Sequence, residues 1–169
     1  MRANSIFVFR RWGGLLACLT FTLPLLAQST TSNVTCSFDD GKEVSVRFIG
    51  SGHPTEHLHN GKMWTPGNAP MFLFTQANLK IGDVSVPVGA YSLYVIPEKG
   101  KWTLIINKKV EGAGTYDEKQ DLGRTTIDVG DLDDSVSSPR LALGHAGPKQ
   151  CNLRINFEKA GAWGEFHEE

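Results

Sequence analysis

Hydrophobic and polar residues alternate with a period of two along most of the chain beyond residue 33. Two such runs, residues 34–38 (VTCSF) and 44–48 (VSVRF), flank Asp40-Gly41, a dipeptide that favours a tight β-turn. Alternation of this kind places every second side chain on the same face of a strand. The pattern therefore predicts an antiparallel hairpin with one apolar face turned toward a core.

Further strand-like runs follow at short intervals, separated by turns rich in Gly, Pro and Asp. They cover residues 71–75, 79–81, 84–86, 90–97, 101–108 and 125–129, with closing strands at 141–143, 151–157 and 163–166. The best-patterned hairpin joins residues 90–97 to residues 101–108. Its predicted inward side chains are Tyr91, Leu93 and Val95 on one strand and Trp102, Leu104 and Ile106 on the other.

Two stretches interrupt these runs. We expect a short helical turn at residues 117–120 and an acidic, solvated loop at residues 130–139 (GDLDDSVSSP). No apolar spacing of 3.6 residues, the mark of a long helix, occurs after residue 27. Many short strands with frequent turns predict a single all-β domain, either an antiparallel β-sandwich of jelly-roll-like form or a partly closed barrel.

The first 27 residues differ in character from the rest of the chain. Arg2, Arg10 and Arg11 precede an apolar run over residues 12–27, which is shorter than the roughly 20 residues that span a membrane. A basic front, a short apolar run and a small residue before the cut are typical of an export signal. We expect cleavage after Ala27 and a mature single domain at residues 28–169, periplasmic or secreted and without stable membrane insertion.

Charge and cysteine content refine this prediction. Removal of residues 1–27 takes away three of the 17 Lys and Arg and none of the 18 Asp and Glu, which leaves a net charge of −4. An acidic chain without a basic patch is a poor partner for nucleic acid. The mature chain keeps Cys36 and Cys151, which in an oxidising compartment are predicted to form a disulfide. The alternative is a pair of buried free thiols.

A set of motifs occurs in a characteristic order along the middle of the chain. They are WTPG at 64–67, FT at 74–75, VPVGAYSLYVIP at 86–97, WTLIINK at 102–108, and YD at 116–117 followed by Asp121. In these motifs the chain resembles the bacterial family called domain of unknown function 2911, most clearly over residues 63–129. The resemblance implies an exported, β-rich bacterial protein and implies no reaction.

The stretch HPTEHLHNG at residues 53–61 is the main candidate for metal chemistry. Its H-x-x-E-H pattern needs a helix that holds His53 and His57 one turn apart, and the flanking glycines leave too few residues for one. On a strand, His57 and His59 would share a face, as metal ligands do in cupin-like barrels. Further ligands would come from Glu56, His145 or His167. We expect instead a solvated surface loop without a tightly bound metal.

Taken together, these features favour a non-catalytic binding module for a small molecule, a glycan or a partner protein, with no cofactor and no catalytic residue. Binding residues concentrate on long loops of rigid β-scaffolds, which makes residues 50–70 the expected contact region. Met63, Trp64, His57 and His59 are the candidate ligand-binding residues there, although Trp64 could equally anchor the core. The alternative function is a cupin-like enzyme that uses His57 and His59 to hold zinc, iron or manganese.

Overall fold

The computed structural model describes residues 30–50, 56–110 and 115–169. These ranges contain nine strands, β1 to β9, and 3-10 turns at Pro66–Asn68 and Glu118–Gln120. The strands are β1 Thr31–Ser37, β2 Glu43–Ile49, β3 Met71–Thr75, β4 Leu79–Ile81, β5 Val84–Val86, β6 Gly89–Ile96, β7 Lys101–Asn107, β8 Asp121–Gly147 and β9 Gln150–Glu168. The all-β prediction is confirmed, and so is the predicted helical turn near residue 118. The expected signal at residues 1–27 lies outside the described residues.

All nine strands belong to one antiparallel sheet, in the order β1-β2-β3-β6-β7-β8-β9-β4-β5. The described strands do not close into a barrel, because β1 and β5 lie at opposite ends of this order. Each predicted hairpin is present, and in the first of them Ser37 pairs with Glu43. Gly41 has φ +85 in that turn, a left-handed conformation that glycine adopts without strain. No helix of the described ranges has the length and apolar character needed to cross a membrane.

The sheet curls so that its first strands, β1 to β3, face its longest strands, β8 and β9. The core lies between these two halves. The predicted inward pairs of the central hairpin meet, with Leu93 opposite Ile106 and Val95 opposite Leu104. Fully buried side chains come from both halves, and the largest include Leu73, Leu104, Leu153, Ile155, Phe157 and Phe166. The second half of β8 contacts β1, so the first strand of the chain packs against the longest strand of the sheet.

The predicted disulfide is present and joins β1 to β9. Cys36 and Cys151 have Cα atoms 6.2 Å apart and are separated by 115 positions in sequence. Both side chains are buried in the core. The bond therefore ties together two strands that the order of the sheet places six strands apart.

The prediction of an acidic loop at residues 130–139 is wrong, because this stretch belongs to β8. Asp131 pairs with Ala160 and Val136 pairs with Glu158, with register shifts on either side of Val136. The shifts leave polar residues of β8 outward and solvated, while β9 supplies backbone partners for those that pair. The predicted closing strands are likewise segments of β8 and β9 rather than separate elements.

Candidate functional site

The predicted contact loop is held to the core by a buried carboxylate. Glu56 accepts a hydrogen bond from the Trp64 indole (Nε1 to Oε1, 2.8 Å) and another from the backbone amide of Gly67 (3.2 Å). Glu56 is itself buried, so its carboxylate faces the protein interior rather than solvent. The segment between Glu56 and Trp64 consequently forms an irregular surface loop. Residues 53–55, including His53, lie outside the described residues.

The two candidate histidines of this loop are exposed and lie outside the strands. His57 Nδ1 lies 2.7 Å from Glu158 Oε1, a contact that fixes its ring against β9. The other proposed ligands lie elsewhere: Glu56 points inward, and His145 contacts the backbone of Ser37. Within the ranges that the structure describes, no three His, Cys, Asp or Glu residues are grouped to hold a metal ion. The arrangement that the cupin-like alternative requires is therefore not formed by these side chains.

Trp64 lies in the core, in agreement with the alternative role considered for it. Its side chain is 7% exposed and stacks on Phe157, with ring centroids 5.2 Å apart. It also meets Trp102 edge to face at 6.1 Å. Met63, its neighbour in the loop, is 37% exposed. Of the candidate ligand-binding residues, Met63, His57 and His59 are thus at the surface and Trp64 is not.

Polar residues of the resemblance motifs converge beneath the connection between β7 and β8. Asp121 accepts hydrogen bonds from Asn107 Nδ2 (2.7 Å), from the Tyr116 hydroxyl (2.7 Å) and from Arg124 Nε (2.8 Å). The Tyr116 ring packs edge to face on Tyr94, with centroids 5.0 Å apart. Burial, followed by the bond to Asp121, raises the pKa of Tyr116 to about 12, so its hydroxyl remains a donor at neutral pH. This network anchors the connection onto the outer face of β6 and β7.

Changing Asp121 to Asn should lower the free energy of unfolding by roughly 1.5–3 kcal/mol. An amide keeps the shape of the side chain but presents a donor where the carboxylate accepts from charged Arg124. Chemical denaturation of both proteins measures the difference. Asp131→Asn on β8 is the matched control, since its exposed carboxylate should allow a change within about 0.5 kcal/mol. Equal losses in the two variants would contradict an anchoring role for Asp121.

A second polar surface, which the sequence analysis missed, lies at the other end of the sheet. There β9 changes partner: Trp163 pairs with Asp128 of β8, and three residues later Phe166 pairs with Ile81 of β4. Along this part of β9 the residues Ala162, Gly164, Phe166 and Glu168 are buried. Trp163, Glu165 and His167 consequently point outward. The sequence does contain a signal for this surface. The alternation AWGEFHE at residues 162–168 places Trp163 on the polar side of a strand, together with Glu165 and His167.

We call this surface the Trp163 face and define it by the outward side chains of Asp128, Arg154, Trp163, Glu165 and His167. Its centre is the Trp163 indole, which is 38% exposed. Grooves of 290 Å³ and 180 Å³ lie on either side and share Trp163 as a wall. Because two grooves meet at one aromatic ring, the surface is suited to an extended ligand rather than to a compact one.

The larger groove opens where β8 and β4 separate, and its polar lining includes Asp128, Glu165 and His167. The turn between β4 and β5 forms its far wall, with Gly82 packed on β8. A Cβ atom at Gly82 would lie 1.9 Å from Thr125 Oγ1, and its φ of +55 also favours glycine. The smaller groove is lined by Arg154 and by other residues of β8 and β9.

Several polar groups of the Trp163 face have no partner in the described part of the chain. The side chains of Asp128, Arg154 and Trp163 form no hydrogen bond or ion pair with any residue that the structure describes. Glu165 Oε2 lies 3.1 Å from His167 Nε2, its one side-chain contact of this kind among those residues. A flat apolar ring surrounded by uncommitted donors and acceptors can stack on a ligand and bond its polar groups at the same time.

The chain matches a known protein family over most of its length. The family model described as "Protein of unknown function (DUF2911)" matches residues 50–163. No curated protein and no solved structure matches the chain. The matched region contains the resemblance motifs and ends at Trp163.

Proposed function

The chain belongs to the DUF2911 family of proteins of unknown function, and we propose that it is an exported, non-catalytic protein that binds saccharides on its Trp163 face. The observation that carries the proposal is the exposed indole of Trp163 at the junction of two grooves. A pyranose ring offers an apolar face for stacking on an indole and a rim of hydroxyl groups for hydrogen bonds. Asp128, Arg154 and Glu165 provide both acceptors and donors for such a rim.

Other ligand classes fit this surface less well. A drug-like apolar molecule needs a concave pocket that buries most of its surface, whereas both grooves are open and have polar walls. A stable protein partner would bury about 800 Å² on each side around an apolar centre, and Trp163 is the one large apolar side chain that is exposed on this face. A polyhydroxylated chain instead matches one aromatic ring with polar groups on both sides.

The proposed site lies on β8 and β9, whereas the sequence analysis expected binding at the loop of residues 50–70. Trp64, the one Phe, Trp or Tyr residue of that loop, is buried in the core against Phe157. The exposed loop residues Met63, His57 and His59 are left without an aromatic platform for stacking. The Trp163 indole instead stands on the paired strands β8 and β9 and packs over Gly130, and a platform built on paired strands loses less entropy on binding than a loop does.

Export is part of the proposal and has two supports. A disulfide persists in an oxidising compartment such as the periplasm or the extracellular space, and Cys36 and Cys151 form one here. The basic and apolar pattern of residues 1–27 is the second support. A protein in that location meets cell-surface and environmental polysaccharides.

Replacing Trp163 by Ala should weaken saccharide binding by roughly 30-fold or more, the effect of losing an aromatic residue that dominates an interface. The probes are the β-1,4-linked tetramers of glucose, N-acetylglucosamine and glucosamine. Titration calorimetry measures the affinity, and quenching of tryptophan fluorescence reports on the stacking itself. Trp163 is the exposed tryptophan of the described residues, while Trp64 and Trp102 are buried, so bound ligand should protect its emission from an added quencher.

Met63→Ala is the matched control, because Met63 is nearly as exposed as Trp163 (37% against 38%) but lies in the loop near His57. Its affinity for each tetramer should equal that of the unaltered protein. Failure of all three tetramers to bind would overturn the proposed function. Binding that survives the loss of Trp163 would place the site elsewhere and overturn the assignment of the face.

A further inference from the structure

The larger groove on the Trp163 face has an uneven distribution of charge. Among the described residues, its lining contains two carboxylates, Asp128 and Glu165, no Lys or Arg, and one base, His167. An ionised carboxylate only accepts hydrogen bonds, whereas hydroxyl and amide side chains serve a neutral sugar equally well. Thr125 and Thr126 also line the groove and serve hydroxyl groups of a ligand, whereas the two carboxylates are matched to a group that donates hydrogen bonds and carries positive charge.

Within the described ranges, His167 is the one basic side chain that contacts either carboxylate, at a single oxygen of Glu165 (Nε2 to Oε2, 3.1 Å), and the nearby lysines and arginine pair with neither. Lys80 is paired with His167 in the sheet, but its ammonium group turns away to the carbonyl of Asp83 (3.1 Å) and the hydroxyl of Ser85 (3.5 Å). Lys101 lies opposite Asp128 on β7 and forms no ion pair with it or with any other described residue. Arg154 lines the smaller groove on the other side of Trp163.

The indole of Trp163 provides a third attraction for the same kind of ligand. The face of a tryptophan ring attracts a cation within about 6 Å of its centre, more strongly than the other aromatic rings do. Asp128 is the cross-strand partner of Trp163, and Glu165 lies two residues further along the same side of β9. A positive group seated in the groove would meet the ring and both carboxylates together.

We infer that the larger groove selects a saccharide unit bearing a protonated amine, so that the Trp163 face binds chains that contain free amino sugars. The inference rests on the proposed saccharide-binding function and adds the charge of the ligand to it. The ammonium group donates to Asp128 and Glu165, and the sugar ring stacks on Trp163. The mixed lining of the smaller groove, which includes Asp131 and Arg154, accommodates the next unit whether or not it is charged.

The test compares the glucosamine tetramer with the N-acetylglucosamine tetramer, which has the same backbone and linkage but no charge. With its amines protonated and at low salt, the glucosamine tetramer should bind at least about tenfold more tightly, as expected for a charged hydrogen bond. This advantage should shrink as salt is added, because the groove is open to solvent. The affinity for the acetylated tetramer should depend little on salt.

Charge-removing variants locate the effect within the groove. Asp128→Asn and Glu165→Gln should each lower the affinity for the glucosamine tetramer roughly tenfold more than the affinity for the acetylated tetramer, because only the charged hydrogen bond to the ammonium group is specific to the first ligand. Lys101→Met should raise the affinity for the glucosamine tetramer several-fold by removing the positive charge that lies opposite Asp128 across β7 and β8. Asp39→Asn, in the turn between β1 and β2, is the control for net charge and should change neither affinity.

Two results separate the inference from the function on which it rests. Equal affinity for the two tetramers, with loss of both in Trp163→Ala, would overturn the amino-sugar inference and leave the saccharide-binding function standing. Failure of every tetramer to bind would overturn both. Equal weakening by Asp39→Asn and Asp128→Asn would also overturn the inference, because the preference would then come from overall charge rather than from the groove.

Discussion

Replacing Cys36 and Cys151 together by alanine is expected to lower the free energy of unfolding by about 4–5 kcal/mol. The disulfide closes a loop across 115 positions of sequence, and a covalent link of that length removes much of the conformational entropy of the unfolded chain. A typical domain is stable by only about 5–15 kcal/mol, so this loss would bring the protein near its unfolding threshold. Alanine is chosen because serine would bury a hydroxyl group in the core.

Denaturant titration of the oxidised protein and of the double variant measures this effect. The slope of the transition should also increase in the variant, since the unfolded chain without the link exposes more surface. The unaltered protein with a reducing agent present is the internal control and should unfold at the same denaturant concentration as the variant. An unchanged midpoint on reduction would show that the bond does not stabilise this fold.

Replacing Trp64 by Ala should lower the free energy of unfolding by about 3–5 kcal/mol, the usual range for a large aromatic residue in a core. The change removes the stack on Phe157 and the contact with Trp102, and it deprives the buried Glu56 of a hydrogen-bond donor. Trp64→Phe separates these contributions. It retains an aromatic ring but removes the indole N–H. The free energy of unfolding should fall by roughly 1–3 kcal/mol, because the buried Glu56 carboxylate loses a hydrogen-bond donor.

Trp163→Ala supplies the matched control, because it makes the same chemical change at an exposed position. Its free energy of unfolding should fall by only about 1–2 kcal/mol, because the indole is 38% exposed and packs over Gly130. Thermal or denaturant unfolding of the three variants distinguishes the roles of the two tryptophans. Similar losses at positions 64 and 163 would contradict the division between a core residue and a ligand-binding residue.

Hydrogen bonding within the fold explains the polar residues of the family motifs without a role in ligand binding. Asn107, Tyr116 and Asp121 form a network that anchors the β7–β8 connection. The Trp163 face lies on β8 and β9, where the family match ends. Family members that share these motifs are expected to share this network.

Local features of the sequence determined the strands β1 to β7 and the turns between the hairpin strands correctly. The alternation at residues 34–48 and the Asp40-Gly41 turn predicted β1, β2 and their hairpin, because the period of a strand and the conformation of a tight turn depend on neighbouring residues. The pairing of Cys36 with Cys151 also followed from the sequence, since they are the two cysteines left after the expected removal of the first 27 residues.

Only the tertiary structure decided which strands lie together and which aromatic residue faces solvent. Residues 130–139 looked like a loop because their polar character is local, whereas the partners offered by β9 come from more than twenty residues away. Trp64 and Trp163 are the same residue type, but Glu56 and Phe157 enclose the first, while the second stands where β9 leaves β8 for β4. Burial depends on contacts between distant segments, and no pattern of neighbouring residues records those contacts.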